Sequence, residues 1–236
     1  MKKPSIMICM PCYGQSMMMQ TARALYDLGN YLTSERIEHR LMMLAAADIE
    51  QVRNLFVTEW YEAYPKFSHL LFIDSDMGFE PALIRDMIRF NKPVMGTFYM
   101  RRQQEPSVVG LAAVGHSLKD VHQGFLRSNG VGGGVLMISR EVIKTMLERL
   151  PNMRRKLPGG IQRAYPHLSS FILAFDKIKT DDVDLSEDLS FCQRWHDCDG
   201  EIWANVAHKI SHIGPFDYHL RYQGILEAKA KAAEAA

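Results

Sequence analysis

Short apolar segments alternate with helix-length segments through the first 140 residues, and this alternation limits the chain to few folds. Strands are predicted at 5–10 (SIMICM), 38–44 (EHRLMML), 69–74 (HLLFID) and 92–100 (KPVMGTFYM). Helices are predicted between them: to about residue 34, over 48–64 and from residue 80. Asp48 is suited to an N-cap and Pro81 to a first helical turn. This order predicts an α/β fold with a mostly parallel central sheet flanked by helices.

The second half of the chain is less regular. A glycine-rich segment leads into an apolar one at 130–139, and 151–166 (PNMRRKLPGGIQRAYP) is predicted to be an exposed, flexible loop. Residues 185–195 are predicted to form a helix, and 201–214 two short strands. Because neither an internal repeat nor a linker is visible, we predict one domain, 1–220, followed by an alanine-rich helical tail, 221–236.

The composition is that of a globular protein without a bias towards charged partners. Of 236 residues, 47% are hydrophobic, and the net charge of +1 gives no overall attraction to nucleic acid or anionic membranes. The chain has no stretch near the roughly 20 apolar residues of a membrane span, and the apolar run before Pro11 is too short for a signal peptide. We therefore predict a cytoplasmic protein, in the host cytoplasm if the source is viral.

Four cysteines are too few for a disulfide scaffold. Cys9 and Cys12 form a C-x-x-C pair, but no second pair completes a four-ligand zinc site, so we interpret them as structural.

The segment LLFIDSDMGF (70–79) places Asp74 and Asp76 at the exit of a buried strand. Side chains alternate along a strand, so both carboxylates should face one side and Ser75 the other. Two such charges repel unless a cation lies between them, and hard oxygen ligands suit Mg²⁺ or Mn²⁺ bound together with phosphates. The alternative is a pair of aspartates that cap backbone amides. Ligands of α/β sheets bind beyond the carboxyl ends of the strands, so the loop after Met10 should converge on this pair.

Two further features, an acidic pair and a histidine, support the prediction of a reaction centre. On a helix over 185–195, Asp188 falls within an apolar arc, where a carboxylate needs a partner or a chemical role; Glu187 lies at the edge of that arc. First-turn acids that favour the helix dipole are the alternative, which suits Glu187 better than Asp188. His212 precedes Ile213 and Gly214 at a predicted strand exit, although an isolated histidine is more often a core residue.

These segments resemble, in their order, a GT-A fold glycosyltransferase: the first strand and loop, ADIEQVRNLFVTEW, HLLFIDSDM, VMGTFYMRR, GGGVLMISR, LSEDLSFCQRW and ISHIG. The resemblance is to the short soluble enzymes of viruses, phages and bacteria and covers residues 5 to 215. It implies a single Rossmann-like domain that moves a sugar from a nucleotide-diphosphate sugar to an acceptor hydroxyl. The acceptor could be a modified DNA base, a glycan or a protein.

The resemblance also implies roles for individual residues. Asp74, Asp76 and His212 would hold Mn²⁺ or Mg²⁺, and Asp188, with Glu187, would act on the acceptor. The residues implied on the donor side are Pro11, Cys12, Tyr13, Gly14, Arg53, Asn54, Asp74, Ser75 and Asp76. Those implied on the acceptor or phosphate side are Arg101, Gly133, Gly134 and Trp195. Arg102 beside Arg101 could also meet phosphate, and a solvated arginine pair is the alternative.

Two other functions remain open. A haloacid-dehalogenase-like phosphatase also uses a D-x-D with Mg²⁺, and Asp181 and Asp182 could imitate its later acidic pair. Such an enzyme would prefer its D-x-D on the first strand and a polar residue where this chain has Gly78. The second alternative is a nucleotide-sugar-binding module without turnover.

Overall fold

The computed structural model describes residues 3–45, 47–102, 108–109, 117–179 and 184–234. Asp181 and Asp182 therefore lie outside the described residues. Within these ranges no helix has the length and apolar character needed to cross a membrane.

Fourteen strands and seven helices are found in these ranges. The strands are β1 (Ile6–Pro11), β2 (His39–Leu44), β3 (His69–Ile73), β4 (Met77–Gly78), β5 (Val94–Thr97), β6 (Tyr99–Met100), β7 (Val108–Val109), β8 (Phe125–Ser128), β9 (Val135–Ser139), β10 (Arg154–Arg155), β11 (Phe171–Ile172), β12 (Ile202–Asn205), β13 (Ile210–Ile213) and β14 (Asp217–Leu220). The helices are α1 (Met19–Ser34), α2 (Ile49–Ala63), α3 (Pro81–Phe90), α4 (Arg140–Arg149), α5 (Gly159–Ala164), α6 (Glu187–His196) and α7 (Tyr222–Glu234).

The central sheet has seven strands in the order β2-β1-β3-β9-β5-β12-β8. β2, β1 and β3 are parallel, as are β5 and β12, whereas β9 and β8 are antiparallel to their neighbours. Five of the seven strands thus run in one direction, which confirms the predicted α/β fold with a mostly parallel sheet.

Helices cover both faces of this sheet. Along β1, Met7 and Cys9 pack into the cluster formed with α2, α4 and α6, whereas Ile6, Ile8 and Met10 pack against α1 and α3. This is the two-residue alternation of a strand buried on both sides, which explains why the first strand is apolar throughout.

The ends of the helices follow the expected chemistry. Asp48 caps α2, because its Oδ1 accepts hydrogen bonds from the amides of Glu50 at 3.0 Å and Gln51 at 3.3 Å. Pro81 is the first residue of α3, where its missing N–H costs nothing.

The loop predicted at 151–166 is more ordered than expected. It contains β10 and α5, and it buries Met153 and Leu157. The reason is α2, which is buried on its outer side as well: Leu55 packs with Leu157 and Phe171 in a third apolar cluster. The segment from Met153 to Phe171 therefore forms a cover over α2.

A small antiparallel sheet, β14-β13-β4, adjoins the main one. Its β4 begins one residue after Asp76, and Met77 pairs with His212 of β13. The amide of Ile213 donates to the carbonyl of Asp76 at 2.8 Å. This sheet brings His212 to the end of β3, although 136 residues separate His212 from Asp76 in the sequence.

Candidate active site

Three chain segments meet at one edge of the central sheet. They are the turn after β3, with Asp74 to Asp76, the loop after β1, and the glycines 132–134 that precede β9. Because β3 and β9 are antiparallel neighbours, the end of one lies beside the start of the other, and the amide of Asp74 donates to the carbonyl of Gly134 at 2.9 Å.

The carboxylate of Asp74 is paired with a buried cation. Nη2 of Arg53 donates to Oδ1 of Asp74 at 2.9 Å and to Oδ2 at 3.2 Å, and Nη1 donates to the carbonyl of Gly133 at 3.1 Å. The Arg53 side chain is only 2% exposed, and its Nε lies 3.5 Å from Oε1 of Glu187. One guanidinium thus joins the turn after β3, the glycine turn and the start of α6.

Asp74 lies in strongly negative surroundings despite this arginine. Burial raises the pKa of its carboxyl to about 6, the charge of Arg53 opposes the shift, and the charges of Asp76, Glu187 and Asp188 add to it. These four carboxylates outnumber the two arginines paired with them, Arg53 and Arg102, and the surplus of negative charge would attract a further cation.

The glycine turn is required by close packing rather than by an unusual backbone. A Cβ on Gly133 would lie 2.4 Å from Cζ of Arg53, and a Cβ on Gly132 would lie 2.3 Å from the hydroxyl oxygen of Tyr99. Neither glycine has a positive φ. The resemblance implies an acceptor or phosphate side for Gly133 and Gly134; in the structure the glycine turn makes room for Arg53 and Tyr99.

Asp76 faces two other basic side chains. Its Oδ2 lies 3.0 Å from Nη1 of Arg102 and 3.5 Å from Nε2 of His212. The Asp76 and His212 side chains are 18% and 14% exposed, so solvent reaches both of them only in part.

The hydrogen bond at Nδ1 of His212 determines which ring nitrogen carries a proton, and hence the role of Nε2. Nδ1 lies 2.8 Å from the carbonyl oxygen of Met100, and because that oxygen can only accept, Nδ1 carries a proton. When the ring is neutral, its Nε2 lone pair therefore points at a carboxylate oxygen of Asp76. Two acceptors that face each other need a proton or a cation between them, and a backbone carbonyl on the far nitrogen is typical of metal-bound histidine.

These two side chains fit a divalent cation as partial ligands. Within the described residues, no group of three or more His, Cys, Asp or Glu side chains is arranged to hold a metal ion. A cation between Asp76 and His212 would thus take further ligands from water or phosphate, which is how Mg²⁺ commonly binds.

A cavity of about 390 Å³ opens in front of these groups. Its lining includes the residues Pro11, Tyr13, Asp74, Ser75, Asp76, Tyr99, Arg102 and His212. The ring of Tyr13 is 75% exposed, whereas Tyr99 is buried and stacks edge-on against His212. Burial, with the charges of Asp74 and Asp188, raises the pKa of Tyr99 above its ordinary value, so its hydroxyl keeps its proton.

Glu187 and Asp188 lie behind the glycine turn and are not among the residues that line this cavity. Oδ2 of Asp188 accepts from the amide of Gly133 at 3.2 Å, and Oδ1 accepts from the Ser186 hydroxyl and from the Leu189 amide. Asp188 therefore ties α6 to the glycine turn, which accounts for a carboxylate on an otherwise apolar arc.

The structure puts several of the predicted site residues elsewhere. Asn54 is 1% exposed and bonds to Asp176 and to the amide of Phe175, so, like Arg53, its side chain is used inside the protein. Trp195 lies in the core and donates to the carbonyl of Glu201 at 3.1 Å, away from the cavity.

Two members of the first loop and one arginine also lie outside the cavity lining. Cys12 is buried, Gly14 supplies the turn with a φ of 66°, and Arg101 is exposed. Neighbours of these three residues, namely Pro11, Tyr13 and Arg102, reach the cavity instead.

Comparison with known proteins bears on the fold. No family model and no curated protein matches the sequence. Among solved structures, A197 from STIV matches with a TM-score of 0.50 and 15% identity, over 89% of this chain and 86% of A197. The fold is of the GT-A type. At this identity the likeness extends to the fold alone.

Two glycosyltransferases are further structural neighbours. The β1,4-galactosyltransferase 7 of Drosophila, solved with xylobiose, gives a TM-score of 0.42 at 13% identity, over 92% of this chain and 70% of that chain. GalNAc-T7, solved with UDP, GalNAc and Mn²⁺, gives 0.49 at 11% identity, over 93% of this chain and 45% of that chain.

The sequence patterns of this GT-A chain did not predict the structural role of Arg53 or the position of Tyr99 in the cavity lining. A signal for Arg53 exists, because a basic residue at 53 lies on the same helical face as Phe56, Val57 and Trp60. Tyr99 has a weaker signal, since it is a polar-tipped aromatic residue near a strand end, two residues before Arg101.

Proposed function

We propose that this chain is a metal-dependent glycosyltransferase that moves a sugar from a nucleoside diphosphate to an acceptor hydroxyl. The observation that carries the proposal is the pair formed by Asp76 and His212, whose Oδ2 and Nε2 atoms lie 3.5 Å apart in a cavity at the carboxyl ends of the strands. In α/β folds, such an edge is where ligands bind.

Asp76 and His212 would hold Mn²⁺ or Mg²⁺, and Asp74 would support them from the first position of the D-x-D motif. When bound, the cation would neutralise the negative charge that develops on the diphosphate leaving group. Arg102 is 46% exposed and now pairs with Asp76, so it is free to turn towards a phosphate oxygen when that carboxylate is engaged.

The remaining cavity residues would orient the donor. Pro11 and Tyr13 line the cavity at the end of β1, where the exposed Tyr13 ring offers a flat face for a base or a sugar. The Tyr99 hydroxyl accepts a hydrogen bond from the Gly134 amide at 3.2 Å. Its own proton is therefore available to an oxygen atom of the nucleotide sugar.

The role of Asp188 as the base for the acceptor hydroxyl stays a prediction. Its Oδ1 accepts two hydrogen bonds and its Oδ2 accepts one, so Oδ2 has a lone pair left for a substrate proton. We expect Asp188→Asn to retain donor binding, because an amide oxygen can still accept from Gly133, and to lose transfer by about 10²–10⁴-fold. Undiminished turnover would remove Asp188 from the mechanism.

The phosphatase alternative finds less support in the geometry. It requires a free aspartate nucleophile on the first strand, whereas Asp74 follows β3 and both of its oxygens accept bonds from Arg53. A binding module without turnover has the same cavity, so only an assay of sugar transfer and donor hydrolysis separates it from an enzyme.

The decisive experiment measures thermal unfolding with a panel of nucleoside diphosphates, with and without Mn²⁺. A ligand at 100 times its dissociation constant should stabilise the native state by about 2.7 kcal/mol. We expect one nucleotide to do so only with the metal, and Asp76→Asn to abolish the effect without unfolding the protein. Asp199→Asn, at a carboxylate that is 86% exposed, is the matched control. Equal stabilisation of wild type and Asp76→Asn would contradict the metal site.

A further inference from the structure

The opposite edge of the central sheet carries a second concave region. Cavities of about 500 and 380 Å³ adjoin there and share Ser68, His69 and Asn91. We call the two together the basic groove. It lies where β1, β3 and β5 begin and β9 ends, so the five residues of β3, at about 3.3 Å each, separate it from Asp74.

The groove is strongly basic although the chain as a whole is nearly neutral. Five cationic side chains and one carboxylate, Glu141, line it. The cations are Lys3, Lys66, Arg89, Lys92 and Arg140. Glu141 is 68% exposed and pairs with Lys144. Against a net charge of +1 for 236 residues, this is a local concentration of positive charge.

Most of these cations are not neutralised by carboxylates. In the part of the chain that the structure describes, Arg89 and Lys92 form no ion pair, and Lys3 donates to the backbone carbonyl of Glu35 rather than to its side chain. Lys92 lies over the Trp203 ring, 5.5 Å from its centroid. Lys66 alone pairs with a carboxylate, that of the exposed Glu38.

Arg140 forms a fixed positive wall of the groove. Its guanidinium donates to the backbone carbonyls of Trp60, Tyr61, Tyr64 and Phe67 at 2.8–3.1 Å. These bonds hold the cation at the end of α2, and although the helix dipole offsets part of its charge, no carboxylate does within the described residues.

Neutral polar groups complete the lining. Asn91 lines both cavities, whereas the hydroxyls of Ser5 and Ser68 donate to the backbone carbonyls of Lys66 and Ser5 and so give the wall its shape rather than donors for a ligand. A concave site with several exposed cations matches a compact oxyanion with many acceptor oxygens.

We propose that the basic groove is a second binding site, specific for small phosphate-bearing ligands and separate from the acidic cavity. A small ligand is favoured over single-stranded nucleic acid because the lining offers no Phe, Tyr or Trp ring on which a base could stack. Inorganic phosphate and the phosphate group of a small metabolite share this chemistry, and the site would take either.

The test uses inorganic pyrophosphate as the probe, by calorimetry on the full chain in buffer with EDTA, so that binding through a divalent metal does not contribute. We expect saturable binding that Arg89→Gln weakens by about tenfold, the effect of one lost charge-assisted hydrogen bond. Arg163→Gln, at an exposed arginine in α5, is the matched control and should leave the affinity unchanged. Inorganic phosphate, run in parallel, should bind more weakly because it has fewer acceptor oxygens.

Location and specificity are tested in the same series. Asp76→Asn should bind pyrophosphate as the wild type does, which separates this result from the fate of the proposed glycosyltransferase site. The proposal is overturned by any of four results: no saturable binding, equal weakening by Arg163→Gln, citrate binding as tight as pyrophosphate, or an oligothymidylate that binds more tightly than pyrophosphate.

Discussion

The two edges of the central sheet carry opposite charges, and the ion pairs at the two edges differ in burial. At the carboxyl ends of the strands, Asp74 is paired with Arg53, which is 2% exposed. At the amino ends, Lys66 pairs with Glu38, and these side chains are 62% and 54% exposed. The Arg53–Asp74 pair is largely buried, whereas the Lys66–Glu38 pair is exposed to solvent.

This difference decides what each charge can do. Removing one partner of a buried pair leaves the other uncompensated, which typically costs about 3–5 kcal/mol, while an exposed pair contributes about 0–1 kcal/mol. The buried charges of the acidic edge therefore contribute to the stability of the fold. At the basic edge, exposed cations such as Lys66 can change their partners, including a ligand, at little cost to stability.

The largest effect should come from Arg53→Met. Loss of the guanidinium leaves Asp74 and Glu187 without their shared cation, and we expect the free energy of unfolding to fall by about 3–5 kcal/mol. Urea unfolding followed by circular dichroism measures this change. Arg23→Met is the control, because the Arg23 side chain is 85% exposed, and it should change stability by less than about 0.5 kcal/mol.

A double variant separates charge from packing. In Arg53→Met with Asp74→Asn, the unpaired carboxylate is gone, so part of the lost stability should return. If the double variant is as unstable as the two single changes added together, the Arg53–Asp74 pair contributes nothing by itself.

Gly133→Ala should act on the same edge with a smaller effect. The added Cβ would lie 2.4 Å from Cζ of Arg53, so the guanidinium or the turn must shift, at a cost of about 1–3 kcal/mol. Gly29→Ala is the control: no atom lies within 4 Å of its Cβ position in α1, and alanine is the better helix former. Thermal unfolding should show the two changes with opposite sign; a neutral Gly133→Ala would show that the turn is loosely packed.

The strands and helices of the first 100 residues were predictable because each has a clear local signal. Apolar runs of five or six residues marked β1 and β3, and Asp48 marked the start of α2. Strand order carries no such signal. The insertion of β9 between β3 and β5 depends on which strands pair across the sheet, and periodicity within a segment does not contain that information.

The candidate site likewise has features that the sequence predicts and features that it does not. The position of Asp74 and Asp76 at the end of β3 follows from the sequence, and the structure brings His212 to them through the β4–β13 pairing. The two aspartates do not follow the alternation of a strand, because β3 ends at Ile73 and both lie in the turn beyond it. Each meets a different arginine, Arg53 or Arg102.

The cover over α2 could not be recognised from residues 151–166 alone. Asn54, Thr58 and Glu62 are spaced like a solvent-facing stripe on α2, but they bond to Phe175, Ile172 and Ser169. Polar side chains that satisfy the backbone of a neighbouring segment have the same spacing as polar side chains in water, so the spacing does not distinguish an interface from an exposed face.

At the basic edge, His69 should make the protein sensitive to acid. Burial lowers the pKa of His69 to about 4 from an ordinary 6.5, so the unfolded chain takes up a proton at a higher pH than the folded chain. The stability that this provides is complete above pH 6.5 and is lost as the pH falls towards 4. We expect His69→Gln to reduce that loss by about 1–2 kcal/mol. Urea unfolding at a series of pH values measures it, with the exposed His219→Gln as the control. Equal pH slopes for the two variants would contradict the prediction.

The smallest change in stability should come from Lys66→Gln, and this variant tests the comparison of the two edges most directly. Its ion pair with Glu38 is exposed, so the free energy of unfolding should change by less than about 1 kcal/mol, in contrast to Arg53→Met. The same variant should bind pyrophosphate several-fold more weakly, because Lys66 lines the basic groove. A large loss of stability would mean that the basic edge, like the acidic one, uses its charges to hold the fold. Unchanged stability with weaker pyrophosphate binding would show that Lys66 is available to a ligand because the fold does not depend on it.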